Sequence, residues 1–346
     1  MSELQSSGTT PATGCGVKVF AGVALSGCCL LLALFLWLAA YANTPGPGTQ
    51  EEAVVLIPPG ASFTSIASIL AEEGIIQEDI RFQLLARLHG MADRIRAGEL
   101  VLNRGAKPLE VLKQLGTARV VQHPVTVAEG LNIKEVAAIF ASGGWCGQQE
   151  FLALTGDADF IKTLGLGEVD NLEGYLYPDT YYLTRIPAVD AKKIMAMMVG
   201  RFFEVWKSLQ TGGADRHRTV ILASIVEKET ADPAERPRIA SVFLNRLERG
   251  MRLQSDPTVI YGVEGFAGNI TREDLKRPTP YNTYVIKGLP AGPICNPGRE
   301  ALAAVLKPVA EQYLYFVSRN DGTHQFSKTL REHNRAVYKY QKRKQQ

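Results

Sequence analysis

Two acids stand two residues apart in the stretch Arg218–Arg252, RTVILASIVEKETADPAERPRIASVFLNRLERGMR: Glu227 and Glu229. They lie near the end of a segment with helical periodicity. Two residues turn a helix by about 200°, so the two carboxyls point apart. Leu222, Ile225, Val226 and Glu229 fall at i, i+3, i+4 and i+7. Glu229 therefore sits within an apolar stripe, and Glu227 shares the other side with Val220, Ala223 and Ser224. A carboxyl against apolar walls loses hydration of its charged form, and its pKa rises. That is what a general acid near neutral pH requires. The competing reading is a helix end at which Glu229 merely pairs with Arg236 or Arg238. Glu227 reads as a solvated or structural partner.

Cutting a sugar chain by hydrolysis normally uses two carboxylates. Asp232, Glu235 and Asp256 are candidates for a second, and spacing singles out none of them. There is no G-x-S-x-G elbow and no H-E-x-x-H, and the five histidines are scattered without metal spacing. No metal site and no cofactor are expected. Tyrosines cluster with Asn, Asp and Gln in LEGYLYPDTYY (172–182), LQSDPTVIYG (253–262) and PYNTYVIKGLPAGPICN (280–296). Such mixtures suit sugars, which offer apolar faces and hydroxyl edges. They are equally ordinary loop chemistry.

The elements that must position these groups follow from periodicity and punctuation. Helices are expected at 80–88, 108–115, 190–209, 218–230, 235–249 and 298–306. Strands are expected at Val54–Ile57, 98–102 and Tyr313–Ser318. Residues 57–74 and 127–144 align without gaps, sharing Gly60/Gly130, Ala67/Ala137, Ile69/Ile139, Ala71/Ala141 and Gly74/Gly144. Each reads as strand, Gly turn, amphipathic helix and Gly cap, either a repeated unit or a chance likeness. The fold class is α+β.

From Val19 to Tyr41 the chain runs 23 residues without a charge, enough to cross a hydrocarbon core of about 30 Å. Lys18 precedes the run, and Glu51 and Glu52 are the first charges after it, which places the N-terminus in the cytoplasm and the bulk outside. Ala40-Tyr41-Ala42 resembles a signal-peptide cleavage site, and Leu25-Ser26-Gly27-Cys28 a lipoprotein signal. The length of the run, and its continuation well past Cys28, favour a retained anchor. The expected organisation is a cytoplasmic N-terminus (1–18), a transmembrane helix (19–41), a linker (42–52), a first α+β module (53–120) and a larger α+β domain (121–346). With 346 residues and a formal net charge of +3, nothing points to nucleic acid; the basic Lys342-Arg343-Lys344 tail reads as a solvated helix end. Of the five cysteines, Cys15, Cys28 and Cys29 lie in or beside the apolar run. Cys146 and Cys295 lack metal spacing and read as free buried thiols rather than a pair.

Several segments taken in order carry a resemblance: IVEKETA (225–231), SVFLNRL (241–247), GMRLQSDPTVIYG (250–262), YNTY (281–284), GLPAGPICNPG (288–298) and LEGYLYPDTY (172–181). They look like the endolytic murein transglycosylase family, MltG or YceG-like, over nearly the whole chain. The resemblance implies a LysM-like subdomain at 53–120 and a catalytic domain at 121–346. It implies cleavage of the MurNAc–GlcNAc β-1,4 bond within peptidoglycan strands, leaving 1,6-anhydroMurNAc ends. The family's acid/base is the second Glu of the EKET-like motif, which matches Glu229. The attacking oxygen is then the substrate's own C6 hydroxyl, so a second carboxylate is not needed. Glu235, Arg252, Gln254, Asp256, Tyr261, Tyr281 and Asn282 lie in the matching motifs and are expected to line the glycan cleft. The family also implies residence in a bacterial cytoplasmic (inner) membrane beside peptidoglycan synthases, ending nascent strands. Rival readings are a lysozyme-type hydrolase, a tethered peptidoglycan-binding scaffold without catalysis, and a structural divisome component.

Overall fold

The computed structural model describes residues 14–342, except for 50, 92–94, 96, 118–119, 186–189, 264 and 267. Lys342 ends the described chain, so the rest of the basic tail lies outside it. The chain divides into two units, one built on residues 1–122 and the other on 123–183 and 188–346.

The first unit begins with α1 (Gly14–Asn43), whose stretch Leu25–Asn43 is long and apolar enough to cross a membrane. Leu30, Leu31, Phe35 and Leu36 on it are exposed. A two-stranded antiparallel sheet follows, β1 (Glu52–Ile57) with β2 (Gly98–Asn103), in the register Glu52–Asn103 to Ile57–Gly98. Between the strands lie α2 (Phe63–Glu72) and α3 (Ile80–Leu88), and α4 (Pro108–Thr117) comes after β2. Alternating burial along β1 puts Ala53, Val55 and Ile57 inside, against Leu70, Phe82, Leu102 and Leu112.

Residues 44–48, part of the expected linker, do not hang free. The Gly46 N–H donates to the Ala106 carbonyl at 3.1 Å. A Cβ at Gly46 would meet the carbonyls of Arg104 and Ile75 at 2.6 Å. Tyr41, near the end of α1, is buried in the same core, and the Arg81 guanidinium lies 4.5 Å from its ring centroid.

The second unit opens the way the first does. Strand β3 (His123–Thr126) pairs antiparallel with β4 (Thr180–Leu183), and α5 (Ile133–Ser142), α6 (Gln148–Thr155) and α7 (Ala158–Thr163) fill the connection. The sequence echo corresponds to one local geometry. Gly60 and Gly130 take φ of +72° and +78°, and Gly74 and Gly144 take +69° and +68°. Both helices close with the paired bonds of a Schellman motif: Gly74 N–H to Ala71 O and Ile75 N–H to Leu70 O, then Gly144 N–H to Ala141 O and Trp145 N–H to Phe140 O. The buried residues Ile66, Ala67 and Leu70 correspond to Val136, Ala137 and Phe140.

The rest of the unit is helical. The long helix α8 (Ala191–Ser208) and α9 (Arg216–Glu229) are followed by α10 (Arg236–Glu248), α11 (Asp256–Tyr261) and α12 (Arg299–Leu306). A hairpin of β5 (Tyr315–Ser318) and β6 (His324–Ser327) precedes α13 (Leu330–Val337). Every residue of α9 from Thr219 to Val226 is buried. Val220 and Ala223 enter one apolar cluster with Tyr175, Phe202 and Leu302; Leu222, Ile225 and Val226 enter another with Ile239, Phe243 and Leu253. A helix apolar all round belongs inside, and here it joins two cores.

Most expected elements are present with ends shifted by one or two residues. The tyrosines of 172–182 differ from one of their two readings. Tyr175, Tyr177 and Tyr181 are core residues, and Tyr175 is fully buried with its hydroxyl 2.9 Å from His217 Nδ1. The Tyr175 ring meets Phe202 of α8 edge-on and stacks on His217 of α9, the Tyr181 hydroxyl donates to the Tyr177 carbonyl, and Tyr182 is exposed. Cys146 and Cys295 are both free; Cys295 is buried and Cys146 only partly so.

Gly174 lies at φ +86°, and a Cβ there would meet Val220 Cγ1 at 2.6 Å and Pro293 at 2.7 Å. Gly174→Ala should cost about 2–4 kcal/mol, from backbone strain plus overpacking against α9. Thermal melts of the two proteins measure it, and an unchanged melting temperature would contradict this packing.

Candidate active site

Glu229 is the last residue of α9. Thr230 follows in extended conformation (φ −147°, ψ 138°), so the helix stops and the carboxyl leaves its end. The core on both sides of α9 fixes where that end lies. The carboxyl accepts a hydrogen bond from Ser255 Oγ. Its pKa is pushed up to about 7, chiefly by burial. The Ser255 bond pulls the other way, Asp256 raises it, and His324 and Arg246 lower it. The negative end of the α9 dipole also favours the protonated form.

The groups around Glu229 come from three segments. The first is the turn into α11. Gln254 sits at φ +48°, a conformation uncommon for a residue with a side chain, and its N–H donates to Thr283 O at 3.2 Å. This turn presents Ser255, whose own N–H donates to Thr283 Oγ1 at 2.9 Å. The second is Tyr281–Tyr284. The Tyr284 hydroxyl donates to Asp256 Oδ1 at 2.6 Å, and Thr283 Oγ1 lies 2.8 Å from Thr258 Oγ1. The third is the β5–β6 hairpin. His324 offers its backbone N–H to Glu235 Oε1 (2.9 Å) and its Nδ1 to Glu235 Oε2 (2.6 Å). With Nδ1 occupied, Nε2 is the imidazole atom left over. Arg246 is buried, with Nε on Leu314 O (2.7 Å) and Nη1 on Leu253 O (2.6 Å). It holds the hairpin, α10 and the α11 turn together while its charge acts on Glu229.

Glu227 lies elsewhere. Its Oε1 accepts from Arg236 Nη2 at 2.7 Å, and its Oε2 from the Gly298 N–H at 2.9 Å. Arg238 pairs with Glu311 at 3.2 Å. Both arginines that might have neutralised Glu229 are thus committed to other carboxylates.

The residues expected to line a cleft divide. Asp256 is exposed beside Glu229, and Arg252 and Gln254 are exposed nearby in sequence. Glu235 is 9% exposed with both oxygens on His324, so it presents no free edge to a ligand; it orients the imidazole. Asn282 is 1% exposed, and its Nδ2 reaches the carbonyls of Asp274 (3.0 Å) and Arg277 (2.8 Å). Its amide is spent on a loop, because a buried amide must find partners. Tyr261 and Tyr281 form a tilted ring pair with centroids 4.8 Å apart, and the Tyr261 hydroxyl donates to Glu173 Oε2 at 2.9 Å. They lie at the far ends of α11 and of the Tyr281–Tyr284 segment from the contacts with Glu229.

Sequence reasoning did not single out Ser255, Tyr284, Arg246, His324 or Glu173. Ser255, Tyr284 and Glu173 stand inside motifs already noted, where an alternation of polar residues gave no ranking. His324 carries no local signal; the hairpin brings it to Glu235 across 89 residues.

The raised pKa has a thermodynamic sign. A carboxyl that binds its proton more tightly folded than unfolded costs stability as pH rises from its ordinary 4.5 to about 7. Glu229→Gln removes that cost. The variant should melt several degrees above the parent at pH 8 and close to it at pH 4, in calorimetry at both values. Ser255→Ala removes the bond favouring the ionised form, so the Glu229 carboxyl should titrate at still higher pH, readable by NMR of the labelled carboxyl.

Residues 55–339 match the YceG-like family model. An endolytic murein transglycosylase of Bacillus subtilis is 35% identical over 301 residues, which is 82% of this chain and 83% of the relative. One of Streptococcus pneumoniae is 27% identical over 322 residues, covering 84% of this chain but only 58% of the longer pneumococcal protein. The crystal structure of a yceG-like protein from Listeria monocytogenes at 2.6 Å is 31% identical, with a TM-score of 0.57 over 83% of this chain and 99% of that one. Together with the ordered motifs around Glu229, these likenesses establish that the chain belongs to the YceG-like family.

Proposed function

We propose that this protein is a peptidoglycan lytic transglycosylase. It cleaves the MurNAc–GlcNAc β-1,4 bond within glycan strands, with Glu229 as the one acid/base. The observation that carries this reading is a carboxyl buried at the end of a core helix and bonded by Ser255, its pKa pushed up to about 7 by that burial. Relatives named endolytic murein transglycosylases support it.

The chemistry balances with one carboxyl. Glu229 gives its proton to the glycosidic O4 as the C1–O4 bond breaks. The resulting carboxylate then takes the proton of the C6 hydroxyl as O6 bonds to C1, closing the 1,6-anhydro ring. Glu229 ends protonated, as it began, and no water is consumed. Intramolecular attack brings high effective molarity, so no second base is required. His324 and Arg246 ease the moment at which Glu229 is ionised, because both favour its charged form. Metal ions and cofactors have no part in these steps.

The β-α-α-β order of the first unit supports a LysM-like glycan-binding role. The apolar α1 supports a single-pass anchor in the cytoplasmic membrane, N-terminus inside, with the second unit outside near peptidoglycan synthases. A second reading rests on Asp256, an exposed carboxyl beside Glu229: a muramidase in which water attacks. Product analysis separates the two, since water leaves reducing ends.

Glu229→Gln should lower the rate on intact glycan strands by about 10²–10⁴-fold or more, with folding kept. Mass spectrometry of the products should find 1,6-anhydro ends from the parent and almost none from the variant. Anhydro ends at the parental rate from Glu229→Gln would refute the mechanism. Parental activity should fall as pH rises through about 7, where Glu229 loses its proton.

A further inference from the structure

The second unit holds another buried carboxyl, Glu173, 2% exposed, on the wall of a cavity of about 750 Å³. Asn132, Ile133, Asn171, Tyr261 and Tyr281 also line it. That volume lies within the range of small-ligand sites, about 300–1,000 Å³.

Two chain segments join this cavity to Glu229. Helix α11 has Ser255 and Asp256 at its Glu229 end and Tyr261 at the cavity. At 1.5 Å per residue the two ends are about 7.5 Å apart along the axis. The segment Tyr281–Tyr284 does the same, with Tyr284 on Asp256 and Tyr281 in the cavity wall. The cavity therefore lies a short step along from the acid, on the scale of neighbouring sugar rings in a strand.

Glu173 does not look like a second acid. Its oxygens accept the Ile133 N–H at 3.1 and 3.2 Å and the Tyr261 hydroxyl at 2.9 Å. Glu229 is not among the charges acting on it, nor the reverse. What Glu173 does is fix the Tyr261 phenol, and through the ring pair it fixes Tyr281 against the cavity. The capping box of Asn132 and Glu135 leaves the buried Ile133 N–H over, and Glu173 accepts it, so this one carboxyl ties the start of α5 to the Tyr261 phenol.

We propose that this cavity is a saccharide subsite that takes an N-acetylated sugar ring of the strand a step along from the bond Glu229 attacks, with Glu173 as the residue that positions Tyr261 and Tyr281. The inference rests on the glycan-cleaving reading above. Aromatic rings supply the face on which a pyranose packs; the Oδ1 atoms of Asn132 and Asn171 are taken by backbone N–H groups, so these side chains face a ligand as Nδ2 donors to hydroxyl or acetamido oxygens. Lys134 also lines the cavity, so a cation stands beside the buried Glu173.

The test uses the full chain with Glu229→Gln, which binds without turnover, and β-1,4-linked N-acetylglucosamine oligomers of two to six units as probes. Affinity measured by calorimetry should rise with length once the remote ring is engaged. Tyr281→Ala should remove that rise, weakening the longest oligomer about three- to tenfold while leaving the shortest unchanged. Glu173→Gln should do the same in smaller measure. Ile260→Arg, from a position 40% exposed at the cavity, blocks it without disturbing the core and should match Tyr281→Ala. The proposal is overturned if the parent binds no oligomer, if these variants bind every length like the parent, or if all lengths weaken equally. Cleavage of sacculi by the Glu229 protein, scored separately, tells failure of this subsite from failure of the glycan-cleaving reading.

Discussion

The burial of α9 is the constraint on which the site depends. A helix with two apolar faces cannot lie on a surface, so two cores form around it, one on Val220 and Ala223 and the other on Leu222, Ile225 and Val226. Neither core could shift without moving the other. The helix ends at Glu229, and its end is thus among the best-fixed points of the unit. The carboxyl inherits both the position and the dryness of its setting. The upward shift of its pKa to about 7 is a by-product of the packing that builds the domain.

The same helix was the most legible part of the sequence. Periodicity alone separated Glu229 from Glu227, and the structure puts Glu227 in a salt bridge with Arg236 on the other side. Helix existence was readable because long apolar stripes have few alternative interpretations. The short elements α6, α7, α11, β6 and α13 were not. Four to eight residues carry too little pattern, and α11 opens in a turn whose Gln254 conformation no composition rule predicts.

Side-chain assignments were harder for a different reason. Tyrosine is amphipathic, so LEGYLYPDTYY suited a sugar or a core equally; the structure spends Tyr175, Tyr177 and Tyr181 on packing and leaves Tyr182 exposed. Glu235 and Asn282 belong to motifs that resemble a glycan cleft, yet burial obliges each to satisfy its polar atoms within the protein. Their importance is to hold His324 and a loop. His324 itself needed the fold, since nothing in a sequence announces that a hairpin will return to a helix 89 residues earlier.

The sealed junction after α1 bears on how the chain would behave with that apolar helix as its anchor. A flexible leash of several residues lets a domain wander, its reach growing as about 5–6 Å times the square root of its length. Here Gly46 is wedged between two carbonyls and Tyr41 is embedded in the first core, so chain entropy has little to act on. With α1 seated in a bilayer, the first unit keeps a fixed standoff and inclination, like a lamp on a rigid post. Tilting or rotating α1 in such a bilayer would swing that unit bodily, and the thickness of the membrane would become one of the lengths that set its height.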